Sequence, residues 1–117
     1  FEGAFLSIAF GIGKYSGGGM RQTPGAVVDD GLLDMTIIPD LPIMTIAKEA
    51  PKLFTGKFLT VKELVTSRSR CITVVPYDEA LPCQAVSGPL VEVDGEVTGN
   101  APVKFEVMEG QLNILCP

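Results

Sequence analysis

The 117-residue sequence contains no histidine. That absence removes the usual general base near neutral pH, the imidazole of a Ser-His-Asp triad and the commonest nitrogen ligand for zinc. Any chemistry must run on carboxylates, lysines or backbone amides. Tryptophan is absent too, and aromatic residues make up only 7% of the chain, which excludes an aromatic platform for stacking single-stranded nucleic acid. Basic residues are few: 9 Lys and Arg stand against 14 Asp and Glu, for a net charge of −5. The densest basic pair is Arg68 and Arg70. A phosphate-rich duplex, or an anionic membrane held by charge alone, finds no positive stripe here, and no nucleic-acid partner is expected. Long apolar runs are also missing. None approaches the ~20 residues of a membrane-spanning helix, and no charged-then-apolar leader opens the sequence. Three cysteines, Cys71, Cys83 and Cys116, form an odd set without metal-ligand spacing, which fits buried or idle thiols in a reducing cytoplasm better than a disulfide framework.

What the sequence does contain is ordinary globular material, 46% hydrophobic and 20% charged, in a length that fits one domain with a sizeable core. It opens abruptly in a strand-like run, FEGAFLSIAFGIG, and reads as a piece of something longer. The run breaks at KYSGGGMRQTPG, where Gly17, Gly18 and Gly19, then Pro24 and Gly25, mark a loop. Two short apolar runs follow about Asp29, Asp30 and Gly31, an Asp-Gly pairing that predicts a tight hairpin turn. Ile43, Ile46, Ala47, Leu53 and Phe54 recur near helical spacing, predicting one short helix over about residues 42–55, split at Pro51 and stopped at Gly56. Beyond Val61 the pattern returns to strands: VKELVTS, CITVVPY, GPLVEVDGEVTG, VKFEVME and GQLNILCP, with Asp-Gly or Glu-Gly turns between several. The predicted fold is mainly β, a two-layer antiparallel β-sandwich-like domain with one short helix.

Three motifs can carry chemistry, and each has a plain alternative. Gly17, Gly18 and Gly19 can cradle a phosphate on backbone amides, but they lack the Lys and Ser/Thr of a P-loop and serve equally as a turn. Asp29, Asp30 and Asp34 cluster around Gly31 and can hold a hard cation such as Mg²⁺ or Ca²⁺; without EF-hand spacing, an Asp-Gly turn explains them as well. Glu92, Asp94, Gly95 and Glu96 form a second acidic turn, where a carboxylate can accept a proton from a substrate hydroxyl if burial or a neighbour tunes it.

Taken in order, KYSGGGMRQTPGAVVDDGLLDMTII, a short helix ending in FTGK, VEVDGE, VKFEV and LNILCP resemble the later part of the C-terminal domain of diacylglycerol-kinase-type lipid kinases. That family includes bacterial diacylglycerol kinases and eukaryotic sphingosine and ceramide kinases. The resemblance spans nearly the whole chain and rests on the glycine-rich turn with Pro24, Ala26 and Asp30-Gly31, together with the Asp94-Gly95-Glu96 turn. It implies an N-terminal nucleotide-binding domain followed by a β-rich domain, with the active site between them. The nucleotide-binding Gly-Gly-Asp-Gly-Thr signature does not occur in this sequence, so residues 1–117 are expected to form a single domain fragment, inactive alone.

By the same resemblance, Glu96 matches the catalytic base that takes the lipid hydroxyl's proton as it attacks the γ-phosphate of ATP, positioned by Asp94 and Gly95. Gly17, Gly18 and Gly19 fall in the cleft loop. Asp30 matches an aspartate that ligates a structural Mg²⁺, helped by main-chain carbonyls at Val27 and Leu32. The implied cofactors are Mg²⁺ and ATP. The implied partners are the nucleotide-binding domain and a lipid, diacylglycerol or a relative, at a membrane surface that a cytoplasmic parent protein touches peripherally. A non-catalytic β-sandwich interaction module is the rival reading. Uncovered sheet edges would in either case favour self-association.

Overall fold

The computed structural model describes residues 1–57, 62, 64–77, 88–111 and 113. They fall into two compact units, Phe1–Arg70 with Val107–Pro117, and Cys71–Glu106. The chain is mainly antiparallel β with one short helical segment, as expected of a β-sandwich-like domain.

In the first unit, β1 (Phe5–Gly11), β2 (Leu33–Pro39) and β3 (Val65–Ser69) form an antiparallel sheet with β2 in the middle. Alternation sorts β2 into two faces. Leu33, Met35 and Ile37 lie on one, and Ile37 stands between Ile8 and Val65. Asp34 and Thr36 lie on the other, and all five residues are buried. The polar face survives burial because its groups are partnered: Thr36 Oγ1 donates to the Gln22 carbonyl at 2.7 Å, and Asp34 pairs with Arg68. The loop over this face is anchored from within, since buried Thr23 donates to the Gly13 carbonyl at 2.8 Å and the Ala26 N–H to the Thr23 carbonyl at 3.0 Å.

The helical segment divides as its sequence predicts. α1 (Ile43–Glu49) and α2 (Lys52–Thr55) are separated at Pro51, and Gly56 ends α2 with φ +72°, a left-handed cap that glycine adopts without Cβ strain. The Arg21 N–H donates to the Leu53 carbonyl at 2.8 Å, tying α2 to the start of the loop over β2. The Asp30-Gly31 hairpin does not form. Residues 26–28 are not a strand, because both edges of β2 are already taken by β1 and β3, so the pair closes a turn leading into β2 instead.

In the second unit, β4 (Cys71–Val74) pairs with β7 (Val103–Glu106), and β5 (Leu90–Val93) pairs with β6 (Glu96–Asn100). Buried Ala101 donates its N–H to the Pro89 carbonyl at 2.9 Å. The strands expected from VKELVTS, CITVVPY and VKFEVME are present but shorter, and the strand expected at the C-terminal end, like Cys83 and Cys116, lies outside the described residues. Cys71 is exposed.

Two substitutions test the double burial of β2. Ile37→Ala removes a core side chain that is 2% exposed, and is expected to cost about 2–5 kcal/mol in urea unfolding, with an unchanged denaturant slope. Thr36→Val keeps the volume but leaves the Gln22 carbonyl without its hydroxyl partner. A loss of about 1–3 kcal/mol is expected, and a neutral result would show that the carbonyl finds another donor.

Candidate functional site

The functional candidates fall in both units. In the first, the glycine-rich loop closes on itself: the Gly19 N–H donates to the Ser16 carbonyl at 3.0 Å and the Ser16 N–H to the Met20 carbonyl at 2.9 Å. Gly17, Gly18 and Gly19 make a single exposed 3-10 turn, with two of the loop's amides committed to its own closure. Its ends are pinned by Arg21, whose guanidinium lies 4.9 Å from the centroid of the Tyr15 ring and donates to the Tyr15 hydroxyl at 2.5 Å. Beside this loop is an open depression lined by Gly13, Lys14, Tyr15, Ala26, Val27 and Val28.

Asp30 sits in the turn before β2. Its Oδ1 accepts the Leu32 N–H at 2.9 Å, an Asx-type closure, and its Oδ2 is bound by Arg68 Nη2. Arg68 Nε donates at the same time to Asp34 Oδ2 at 3.0 Å. One guanidinium therefore spans two carboxylates, held by strand register, since Asp34 and Arg68 are direct partners across β2 and β3. Asp34, foremost, and then Asp30 hold the Arg68 guanidinium above even its ordinary high value.

A structural Mg²⁺ at Asp30 requires free oxygens, ideally six in octahedral array. Both Asp30 oxygens are engaged, by the Leu32 N–H and by Arg68, and the Val27 carbonyl accepts the Asp30 N–H at 3.5 Å. Among the described residues, no group of three or more His, Cys, Asp or Glu could hold a metal ion. As arranged, the two Asp30 carboxylate oxygens are taken by the Leu32 N–H and a guanidinium and are not left open to a divalent ion.

In the second unit, Val93 and Glu96 are direct partners, so Asp94 and Gly95 alone make the turn of the β5–β6 hairpin. Both have positive φ, +50° and +88°, the combination of a type I′ turn, for which Asp-Gly is among the preferred pairs. The turn ends on Glu96, the first residue of β6, whose side chain is exposed like those of Glu92 and Asp94. A register shift follows between Val91 and Glu92; such irregularities re-aim side chains in a hairpin. Glu96 is thus an exposed carboxylate at the first position after a two-residue turn. On the neighbouring pair of strands, Lys104 Nζ meets Glu106 Oε2 at 2.8 Å. That hydrogen bond holds the lysine above its ordinary value, with Cys71 adding to the effect, and holds the Glu106 carboxyl below its own.

The aspartate and glutamate positions singled out in the sequence are all among the described residues. Asp30 and Asp34 are brought together, whereas Asp29 is not among the carboxylates bound by Arg68. Arg68 itself escapes sequence reasoning: it stands 34 residues from Asp34, and only the strand pairing joins them.

No helix among the described residues is long and apolar enough to cross a membrane. A family described as the YegS C-terminal NAD kinase beta sandwich-like domain matches residues 1–116. The chain is also similar to proteins named probable lipid kinase YegS-like. It is 32% identical over 117 residues to that of Xanthomonas axonopodis pv. citri, 34% over 117 residues to that of Pseudomonas aeruginosa strain UCBPP-PA14 and 31% over 118 residues to that of Stenotrophomonas maltophilia. Each match covers 100% of this chain but 35% of the relative, so the chain spans about a third of the length of these curated proteins. No solved structure matches it. With a family match over almost its whole length, the chain belongs to the YegS C-terminal, NAD kinase-like β-sandwich domain family.

Proposed function

We propose that this chain is the acceptor-side wall of an ATP-dependent lipid kinase that phosphorylates the hydroxyl of diacylglycerol or a related lipid. The observation that carries the proposal is Glu96, an exposed carboxylate at the end of a type I′ turn, in a domain whose relatives are named lipid kinases. The reaction is a phosphoryl transfer. The lipid oxygen forms a bond to the γ-phosphorus, the bond from that phosphorus to the bridging oxygen of ADP breaks, and the hydroxyl proton passes to the Glu96 carboxylate. Such a reaction depends chiefly on positioning and charge neutralisation, with one acceptor for the proton. Asp94 and Gly95 act by fixing where Glu96 stands.

ATP, with its accompanying Mg²⁺, is the co-substrate, and a nucleotide-binding domain elsewhere in the polypeptide supplies it. The isolated chain would then hold half of the machinery and be inactive. Because the lipid hydroxyl lies at a membrane surface, the parent protein works from the cytoplasm with peripheral contact to the bilayer. Exposed Phe1, Phe5 and Leu6, in and beside the edge strand β1, favour contact of that edge with another protein surface, a second copy included.

The test is Glu96→Gln in the full-length protein, assayed with radiolabelled ATP and diacylglycerol in mixed micelles. Turnover is expected to fall by roughly 10²–10⁴-fold, with circular dichroism and melting temperature unchanged, while the neighbouring Glu92→Gln stays close to wild type. Turnover retained in Glu96→Gln would remove this carboxylate from the chemistry, and a wild-type protein that transfers no phosphate to any lipid would favour an interaction module.

A further inference from the structure

We infer that Arg68 is the built-in cation of the turn before β2, and that its guanidinium, bridging Asp30 and Asp34, braces this turn without a bound metal. Two carboxylates brought side by side repel one another and need a positive charge between them. A divalent ion is one solution and a guanidinium another, because its planar fork reaches two oxygens at once and cannot be deprotonated under ordinary conditions.

The geometry realises the second solution at every contact. Strand register sets Arg68 opposite Asp34, with Nε 3.0 Å from Oδ2. The outer nitrogen of the same guanidinium binds Asp30 Oδ2. The remaining Asp30 oxygen closes its own turn on the Leu32 N–H, and Gly25 packs close by, its Cα so placed that a methyl group there would lie 3.4 Å from Asp34 Oδ1. The Asp34 side chain is 12% exposed and that of Asp30 25%, so the pair is shielded enough for the guanidinium to matter. An ion seated on Asp30 would have to displace Arg68 and leave two cations competing for the same two carboxylates.

The experiment uses the full-length protein without nucleotide and compares thermal unfolding of wild type, Asp30→Asn, Arg68→Met and the double variant, each in excess chelator and in millimolar Mg²⁺. Asparagine keeps an acceptor for the Leu32 N–H and replaces the charged oxygen that accepts from Arg68 with an amide nitrogen that cannot accept. Asp30→Asn is expected to lower the melting temperature by roughly 2–4 °C, equally in chelator and in Mg²⁺, and to have little further effect once Arg68 is Met. In Arg68→Met the freed carboxylates become available to the ion, so Mg²⁺ should raise its melting temperature while leaving wild type unmoved. A gap between wild type and Asp30→Asn that opens only with Mg²⁺ would overturn the inference, as would Arg68→Met melting like wild type. If Arg68→Met fails to fold, Arg68→Lys, which keeps the charge but loses the fork, takes its place in the cycle. The wild-type and Asp30→Asn comparison decides the question even without an arginine variant.

Discussion

The first unit depends on one constraint: β2 is hydrogen-bonded along both edges and buried on both faces. A strand so enclosed has no water to satisfy a polar side chain, so each one needs a protein partner. The consequences run outward from Asp34 and Thr36. The buried hydroxyl fixes where the backbone passes at Gln22, and the buried carboxylate draws Arg68 to it from the neighbouring strand. The arginine in turn holds Asp30, and with it the turn that delivers the chain into β2. The loop over the sheet is thereby shaped by the polar face it covers. The apolar face contributes the larger share of hydrophobic stabilisation, but a hydrophobic contact carries no direction and could not have placed that loop.

Local features were legible in the sequence where a single residue type has few conformational options. Pro51 splits the helix and Gly56 stops it. Asp94-Gly95 forms the two-residue turn that its flanking residues suggest. The same dipeptide at Asp30-Gly31 makes a turn but no hairpin, and nothing in its neighbourhood distinguishes the two cases. The difference is tertiary: Val93 finds Glu96 across the turn, whereas β2 already has a neighbour on each side. Dipeptide propensity sets the bend, and strand competition decides what the bend connects.

The candidate site divides in a similar way. Glu96 could be singled out only because its Asp94-Gly95-Glu96 turn resembles that of the lipid-kinase family, a likeness carried by three consecutive residues. The Asp30, Asp34 and Arg68 cluster could be only half seen, since clustered acids advertise a need for positive charge without saying what fills it. An arginine 34 residues from Asp34 becomes its partner through the β2 to β3 register, which no local pattern encodes. Membership of the NAD kinase-like β-sandwich family limits what the domain can be, while the charge beside Asp30 is read only from the strand pairing that brings Arg68 to it.

The hairpin at Asp94 and Gly95 has a further consequence for how such a domain can vary through descent. In a two-residue turn the pleat continues almost directly from one strand to the next, so adding or deleting a single residue would carry Glu96 to the opposite face of the ribbon. Substitutions along β5 and β6 alter what surrounds the carboxylate, but a change in loop length reverses its heading. Among relatives, the spacing through this turn should consequently drift far less than the composition of the strands it joins, since a member with an altered spacing there would present the carboxylate on the other face.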